Sequence, residues 1–239
     1  ILFAEKLIES IYKNFLPGQK RSIFLFTDHT QDSTVEFIIN NQYDKLNDFL
    51  IYLIPIERKG FPGDTLYRYH YFLTIKQEIV NMKIDYLYYM DIDMLITDKV
   101  SEVILPAQKK ELVAVQHPGF AYNKIYPLGT PETNKLSTAY IAKDEKRPCY
   151  WAGGLNGGKT AAYLDMCETI AKNIDKDNEN HIIAVWHDES HWNRYCVSNL
   201  DQVQTMPCDY CFPEKLCNQF GLTNKHKPIV LALYKNHEE

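Results

Sequence analysis

The sequence contains no apolar run long enough to cross a membrane. A spanning helix needs about 20 predominantly apolar residues in succession, and polar or charged residues interrupt every apolar run before that length. A basic segment followed by an apolar one, the mark of a signal peptide, is also missing. The chain begins at Ile1 rather than at a methionine, which fits the removal of an upstream segment. We expect a cytoplasmic protein without a membrane span.

An excess of positive charge is absent as well. The 239 residues include 26 Lys and Arg against 31 Asp and Glu, which gives a net charge of -5. Domains that bind nucleic acids usually carry a basic surface that neutralises phosphates. The charge balance therefore excludes nucleic acid as the main partner.

The six cysteines do not form the dense framework of a small disulfide-stabilised domain. They are scattered over a chain of ordinary domain size, which is typical of reduced thiols in a cytosolic protein. The pair Cys208-x-x-Cys211, with Cys217 close behind it, leaves zinc as an alternative. No second C-x-x-C or H-x-x-x-H follows this pair, so the spacing favours free thiols.

Two common catalytic and cofactor motifs are missing. Gly153-Gly154 and Gly157-Gly158 do not make the G-x-G-x-x-G turn of a dinucleotide site. His187 and Ser190 lie close in sequence, but no G-x-S-x-G elbow surrounds the serine. The sequence also shows no internal repeat and no linker between domains. These absences argue against a nicotinamide-dependent enzyme and a serine hydrolase.

Predicted helices and strands alternate along the chain, which is typical of an α/β domain. The helical pattern at the N-terminus ends at Pro17-Gly18, and Asp64 is a candidate cap for the next helix. Residues 31–48 are polar and predict a connection with a little helix. The predicted helices cover residues 1–15, 65–81, 98–105 and 160–174, and the predicted strands cover 22–26, 49–56, 86–90, 112–115 and 229–234.

A possible metal site follows the aromatic strand that ends at Met90. Asp91 and Asp93 are one residue apart, and alternate side chains of an extended chain point to the same side. The unbroken apolar run predicts a central strand buried on both faces, with the two carboxylates at its carboxyl end. Two adjacent carboxylates repel each other unless a cation compensates them, and oxygen ligands suit Mg²⁺ or Mn²⁺. The alternative is an ordinary strand-to-loop turn.

Two further segments carry charged side chains close to apolar residues of the sequence. Arg68 lies in a predicted helix, either in an exposed salt bridge or in contact with an anion or the two aspartates. His187-Asp188-Glu189-Ser190-His191 follows an apolar run and is either a solvated helix start or part of a site. The irregular segment 121–135 and the paired glycines after Trp151 are typical of segments that line a ligand.

Taken together, the motifs resemble glycosyltransferase family 6, which includes animal α-1,3-galactosyltransferases, the blood-group A and B transferases and bacterial relatives. The matches occur in the family's order and spacing across nearly the whole chain. They are Phe26-Thr27-Asp28, Thr65-Leu66-Tyr67-Arg68, the segment 86–94, His117-Pro118-Gly119-Phe120, the segment 137–141, Ala152-Gly153-Gly154 with Gly157-Gly158, the segment 186–190, and Lys235-Asn236-His237.

The resemblance implies a GT-A fold, a mixed and mostly parallel sheet flanked by helices. It implies one catalytic domain over residues 1–239, with a donor half at roughly 1–115 and an acceptor half at roughly 116–239. It also implies retaining transfer of N-acetylgalactosamine or galactose from a UDP-sugar to the 3-hydroxyl of a galactoside glycan, possibly fucosylated. The alternatives are a nucleotide-sugar hydrolase and a non-catalytic carbohydrate-binding protein on a degenerate transferase fold.

The resemblance also implies roles for particular residues. Asp91 and Asp93 match the residues that bind Mn²⁺, with Mg²⁺ as the alternative, and Glu189 matches the catalytic glutamate. The expected donor-binding residues are Arg68, Ala152, Gly153, Gly154, Asp188 and Lys235. The expected acceptor-binding residues are His117, Thr130, Glu132 and Trp186. The small Gly154 favours a 2-acetamido sugar and hence UDP-N-acetylgalactosamine.

The chain differs from family members at four places. Many bacterial members carry asparagines where this chain has Asp91 and Asp93, so this chain resembles the metal-dependent members. Thr133 and Asn134 replace the family's basic pair, which leaves the acceptor open. The family's first strand, which helps to hold the uracil, would precede Ile1, so we expect an incomplete nucleobase pocket. The tail stops soon after His237, so we expect it to cover the diphosphate only partly.

Overall fold

A computed structural model describes residues 2–29, 48–122, 128–215, 220, 222 and 227–235. The connection predicted for residues 31–48 lies, except for Asp48, outside the described residues. So do Cys217, Asn236 and His237. All statements below refer to the described part of the chain.

Within the described residues, nine strands form three sheets, and parallel and antiparallel pairings both occur. The order is β1-β2 in the first sheet, β3-β6-β5-β7 in the second and β4-β9-β8 in the third. The strands are β1 (Arg21–Thr27), β2 (Phe49–Pro55), β3 (Tyr86–Met90), β4 (Met94–Ile96), β5 (Leu112–Gln116), β6 (Trp151–Lys159), β7 (Val203–Met206), β8 (Phe212–Pro213) and β9 (Val230–Ala232).

The prediction of a central strand before Asp91 is wrong in one respect. Within the described residues, β3 is the outer strand of its sheet, and its side chains are half-buried or exposed. The inner position belongs to β6, which the sequence did not predict as a strand because glycine usually weakens one. A Cβ at Gly157 would lie 2.3 Å from Cδ1 of Tyr88, so glycine is needed for β3 and β6 to pack at this distance.

The helices differ most from the prediction between residues 63 and 81. One long helix was expected there, but the chain breaks at Tyr67 and again at Thr74 and Ile75. Thr74 donates its hydroxyl to the Tyr71 carbonyl, a local bond that competes with helix continuation. The helices are α1 (Leu2–Asn14), α2 (Gly63–Leu66), α3 (Arg68–Leu73), α4 (Lys76–Asn81), α5 (Thr160–Glu179) and α6 (His187–Ser198).

Three smaller predictions about helices are wrong. Asp64 does not cap a helix, because its carboxylate accepts the Lys59 backbone N–H at 2.7 Å. The helix predicted over residues 98–105 is a single 3₁₀ turn, Glu102–Ile104. Helix α5 begins at Thr160 as predicted but extends five residues beyond the predicted end at Ile174.

The largest core cluster lies between the second sheet and helices α5 and α6. Trp151, Trp192 and Tyr69 are completely buried in or beside it. Asn193 of α6 ties the helix to β6, because its side chain accepts the Trp151 N–H at 2.9 Å and donates to the Trp151 carbonyl at 2.8 Å. The start of α6 is thereby fixed beside the carboxyl end of β3. No helix among the described residues is both long and apolar enough to cross a lipid bilayer.

Candidate functional site

Arg68 lies at the centre of a buried group of charges. Its Nη1 donates to the Gly153 carbonyl at 3.1 Å and lies 3.0 Å from Oδ2 of Asp188. Its Nη2 donates to Oδ1 of Asp91 at 3.2 Å. The guanidinium also covers the Tyr89 ring, 4.2 Å from the ring centroid. The exposed salt bridge considered as an alternative is therefore wrong, and Arg68 joins three segments that are distant in sequence.

The charge of Arg68 is secured by its neighbours. Burial alone would lower the pKa of the guanidinium. The negative charge of Asp188, with a smaller contribution from Asp91, outweighs burial and holds that pKa well above its ordinary value. A buried cation with two carboxylate partners is far less costly than an unpaired one. Arg68 therefore stays charged and holds Asp91 and Asp188 on either side of one guanidinium.

Asp91 and Asp93 do not continue β3 as an extended chain. The Met94 N–H donates to the Asp91 carbonyl at 3.1 Å, so the backbone turns at this point. Oδ1 of Asp91 accepts the Tyr89 hydroxyl in addition to Arg68. Oδ2 of Asp93 lies 3.0 Å from Nζ of Lys235, which β9 brings in from the C-terminal part of the chain. The two carboxylates thus each have a cationic side chain on one oxygen.

The remaining carboxylate oxygens fit a divalent cation. Oδ1 of Asp93 is buried and has no hydrogen-bond partner among the described residues, a costly state that a bound cation would relieve. A Cβ at Gly154 would lie 2.7 Å from Oδ2 of Asp91, so the glycine makes room for that oxygen. The described residues contain no cluster of three or more His, Cys, Asp or Glu side chains that could hold a metal. A metal here would take further ligands from its substrate, as Mg²⁺ commonly does.

Zinc is not supported at the cysteine pair. Cys208 and Cys211 lie in a 3₁₀ turn with buried thiols, and burial raises the pKa of Cys208 to about 11. Metal-binding cysteines are thiolates, which a raised pKa disfavours. The described cysteines are free, as the sequence predicts.

Asp188 and Glu189 occupy the first turn of α6, where the helix dipole favours negative charge. Oε2 of Glu189 accepts the Gly153 N–H at 2.8 Å, and the Glu189 carbonyl accepts the Asn193 side chain at 2.9 Å. Asp188 is buried against Arg68. The alternative of a solvated helix start is therefore wrong, although a helix does begin here.

Burial raises the pKa values of both acids. The pKa of Glu189 is raised to about 7, mainly by burial, which the Gly153 N–H and the Tyr150 side chain partly oppose. The pKa of Asp188 is raised to about 6, again by burial, with Arg68 opposing it. Shifts of this size in a cleft are typical of functional carboxylates.

The raised pKa of Glu189 predicts a pH-dependent cost to stability. An acid whose folded pKa exceeds its unfolded one favours folding at low pH and loses that contribution as the pH rises through the folded value. We expect Glu189→Gln to gain stability over the wild-type chain between pH 5 and pH 8, by roughly 2 kcal/mol. Urea unfolding at several pH values measures this difference, and a difference independent of pH would contradict the assignment.

These groups line one cavity of about 170 Å³. Its walls come from the break between α2 and α3, the end of β3, the middle of β6 and the start of α6. The lining residues are Thr65, Arg68, Asp91, Gly153, Gly154, Trp186, His187, Asp188 and Glu189. Ala152, one of the expected donor residues, does not line this cavity, because it is buried in a core cluster with Leu155 and Met94.

Two of the four expected acceptor residues, His117 and Thr130, lie beside Tyr150, and the other two, Glu132 and Trp186, do not. The His117 ring lies 5.8 Å from the Tyr150 ring, and burial lowers the pKa of His117 to about 4, so it is neutral at pH 7. Thr130 is exposed next to Gly129, whose Cβ would overlap the Tyr150 ring at 2.2 Å. Trp186 is half exposed at the mouth of the cavity. Glu132 is buried instead, with both carboxylate oxygens bound to backbone N–H groups.

Three residues of the site were not predicted. Tyr89 contacts both Arg68 and Asp91, and its position two residues before Asp91 on the strand could have indicated this. Asn193 stands four residues after Glu189, on the same helix face, and fixes the helix to β6. Tyr150 touches the acceptor side and Glu189 together, and no sequence spacing signals this contact.

Comparison with known proteins places this arrangement among sugar transferases. The family model described as glycosyltransferase family 6 matches residues 1–238. The rat protein named histo-blood group ABO system transferase 1 is 28% identical over 238 residues, which are 100% of this chain and 64% of that protein. The Escherichia coli O-antigen biosynthesis glycosyltransferase WbnI is 27% identical over 229 residues, which are 96% of this chain and 88% of the relative.

Human globoside alpha-1,3-N-acetylgalactosaminyltransferase 1 is 28% identical over 202 residues. The match covers 82% of this chain and 53% of the human protein. The chain thus spans less than two thirds of the rat and human relatives and most of the bacterial one.

Proposed function

The chain belongs to glycosyltransferase family 6, and from this premise we propose that it is a retaining α-1,3-glycosyltransferase that uses a UDP-sugar. The proposal rests chiefly on one observation. A single buried arginine, Arg68, contacts both Asp91 and Asp188, which joins the possible metal site to the acidic first turn of α6 that also carries Glu189. A donor with a diphosphate at one end and a sugar at the other needs such a continuous site.

Asp91 and Asp93 are the residues that would hold Mn²⁺ or Mg²⁺ in this proposal. A bound divalent cation would neutralise charge on the leaving diphosphate. Arg68 and Lys235 add positive charge at the same place, and each already pairs with one of the two aspartates. These side chains would bind and orient the diphosphate.

Glu189 is the group proposed to act at the anomeric carbon. Its carboxylate is held by the Gly153 N–H and lines the cavity beside Asp188. In retaining sugar chemistry, a carboxylate opposite the leaving group either attacks the anomeric carbon or stabilises an oxocarbenium ion. Either role requires the ionised form, so activity should rise as the pH passes the Glu189 pKa.

N-Acetylgalactosamine is the proposed sugar. Gly153 and Gly154 line the cavity beside Glu189 and Asp91. Because Oδ2 of Asp91 already occupies the space of a Cβ at Gly154, the choice of sugar rests on the family resemblance rather than on free space at this glycine. The proposed acceptor is a galactoside, possibly fucosylated, placed near His117, Thr130 and Trp186. The human relative's name specifies N-acetylgalactosamine and an α-1,3 linkage, which agrees with this choice.

Release of UDP tests the proposal directly. We expect UDP to be released from UDP-N-acetylgalactosamine with Mn²⁺ and a β-galactoside acceptor, fucosylated or not, at a kcat/KM above that for UDP-galactose. A higher kcat/KM with UDP-galactose would overturn the choice of sugar. Release that needs no acceptor would indicate a hydrolase, and no release under any condition would favour a carbohydrate-binding protein.

A further inference from the structure

Glu132 joins two segments that meet beside the cavity. It lies in the acceptor loop, defined here as residues 130–141, and is 6% exposed. Its Oε1 accepts the Asn134 N–H of the same loop at 2.7 Å. Its Oε2 accepts the Val185 N–H at 2.7 Å, in the helix-entry segment, defined here as residues 182–186. One buried carboxylate therefore shapes the loop and fixes it to the chain that leads into α6.

The helix-entry segment needs such support because it ends in a strained turn. His187 has a φ of +50°, which a residue with a side chain adopts only where its surroundings enforce it. The Trp186 N–H before it donates to Oγ of Ser190 at 3.0 Å. Glu132 binds the N–H of the preceding residue, Val185, so two successive N–H bonds fix the backbone that enters Trp186.

A second buried acid, Asp177, lies where the acceptor loop meets the helix-entry segment, a contact that we call the junction. Asp177 of α5 accepts the Ser137 hydroxyl and the Thr138 N–H at 2.5 and 2.7 Å, and its carbonyl accepts the Ile182 N–H at 2.9 Å. The acceptor loop and the helix-entry segment are thus each bound to both Glu132 and Asp177. The Glu189 N–H donates to the Trp186 carbonyl at 3.0 Å, but the Glu189 carboxylate is held from outside the junction by the Gly153 N–H and its carbonyl by the Asn193 side chain.

We propose that Glu132 is a positioning residue that fixes the acceptor loop to the helix-entry segment, and that it organises the acceptor site without touching the acceptor. This inference rests on the proposed transferase function. Its chemistry is specific, because only a carboxylate offers an acceptor oxygen to each of the two N–H groups. A glutamine has the same shape but would turn an NH₂ group towards one of them, which leaves a buried donor unpaired.

The variant Glu132→Gln tests the proposal because it separates sugar transfer to the acceptor from hydrolysis of the UDP-sugar without acceptor. We expect kcat/KM for the acceptor to fall about 10²-fold, the effect that a displacement of about 1 Å can have. Affinity for UDP and acceptor-independent release of UDP should stay within twofold of the wild-type values. Glu111→Gln, which loses only a surface ion pair with Lys159, is the matched control and should change neither. An equal loss of transfer and hydrolysis in Glu132→Gln, or no loss of transfer, would overturn the proposal.

Hydrogen–deuterium exchange of the wild-type chain tests the same bonds without any activity. The Val185 side chain is half exposed, and neither Val185 nor Asn134 lies in a helix or strand. Their amides should nevertheless exchange slowly, and Glu132→Gln should accelerate at least one of them. Fast exchange of both amides in the wild-type chain would refute the junction. An inactive wild-type chain with slow exchange would refute the transferase function and the acceptor role but retain the junction.

Discussion

Glu189→Gln should reduce the turnover of UDP-sugar by about 10³-fold, within the range that a positioned acid or base contributes, and should leave UDP binding unchanged. The glutamine carbonyl can still accept the Gly153 N–H, so the local structure is retained. What disappears is the negative charge that the proposed mechanism places opposite the anomeric carbon. Steady-state kinetics and calorimetry of UDP binding measure the two quantities on the same protein.

Two further results make this prediction specific. Glu78→Gln, on the exposed surface of α4, removes the same charge and should keep wild-type turnover. In the wild-type chain, kcat/KM should rise with pH through about 7, where the buried Glu189 ionises. Turnover near the wild-type level in Glu189→Gln would remove this residue from the mechanism.

Removal of the metal should have the second largest effect. Metal ions supply several kcal/mol to reactions with charged leaving groups, so EDTA should lower wild-type turnover by about 10²-fold or more. Asp93→Asn should show the same low turnover, and EDTA should change it little further. Asp93 is preferable to Asp91 for this test because Asp91 also contacts Arg68 and Tyr89.

The control for the metal prediction is an aspartate on the exposed face of α5. Asp165→Asn should keep both its turnover and its sensitivity to EDTA. Full wild-type activity in metal-free buffer would contradict the metal site and would place this chain with the family members that work without metal. Arg68 and Lys235 would then be the cations that neutralise the diphosphate.

The sequence predicts the site residues better than it predicts how they are held. Asp91, Asp188 and Glu189 were identified from their positions after apolar runs, and the structure brings them to one cavity. The reasoning from strand alternation fails after Met90, because the backbone turns at Asp91. The central contact of Arg68 with Gly153 and Asp188 joins residues more than 80 positions apart, and no local pattern encodes such a contact.

Glycine and buried polar residues account for most of the remaining errors. The paired glycines after Trp151 suggested a segment that lines a ligand, and Gly154 does line the cavity. Gly157 instead lies in β6 where the Tyr88 side chain occupies the space of a Cβ. Glu132 suggested a ligand for the acceptor, yet its carboxylate binds two backbone N–H groups. In both cases the residue type was informative, but its partner was set by tertiary packing.

Binding of UDP in the presence and absence of Mn²⁺ tests the central claim most directly, since it needs no knowledge of the sugar or the acceptor. Isothermal titration calorimetry of the wild-type chain should show one UDP site with Mn²⁺, and binding should weaken strongly with EDTA or in Asp93→Asn. If UDP does not bind with Mn²⁺, the cavity formed by Arg68, Asp91, Asp188 and Glu189 is not a nucleotide-sugar site.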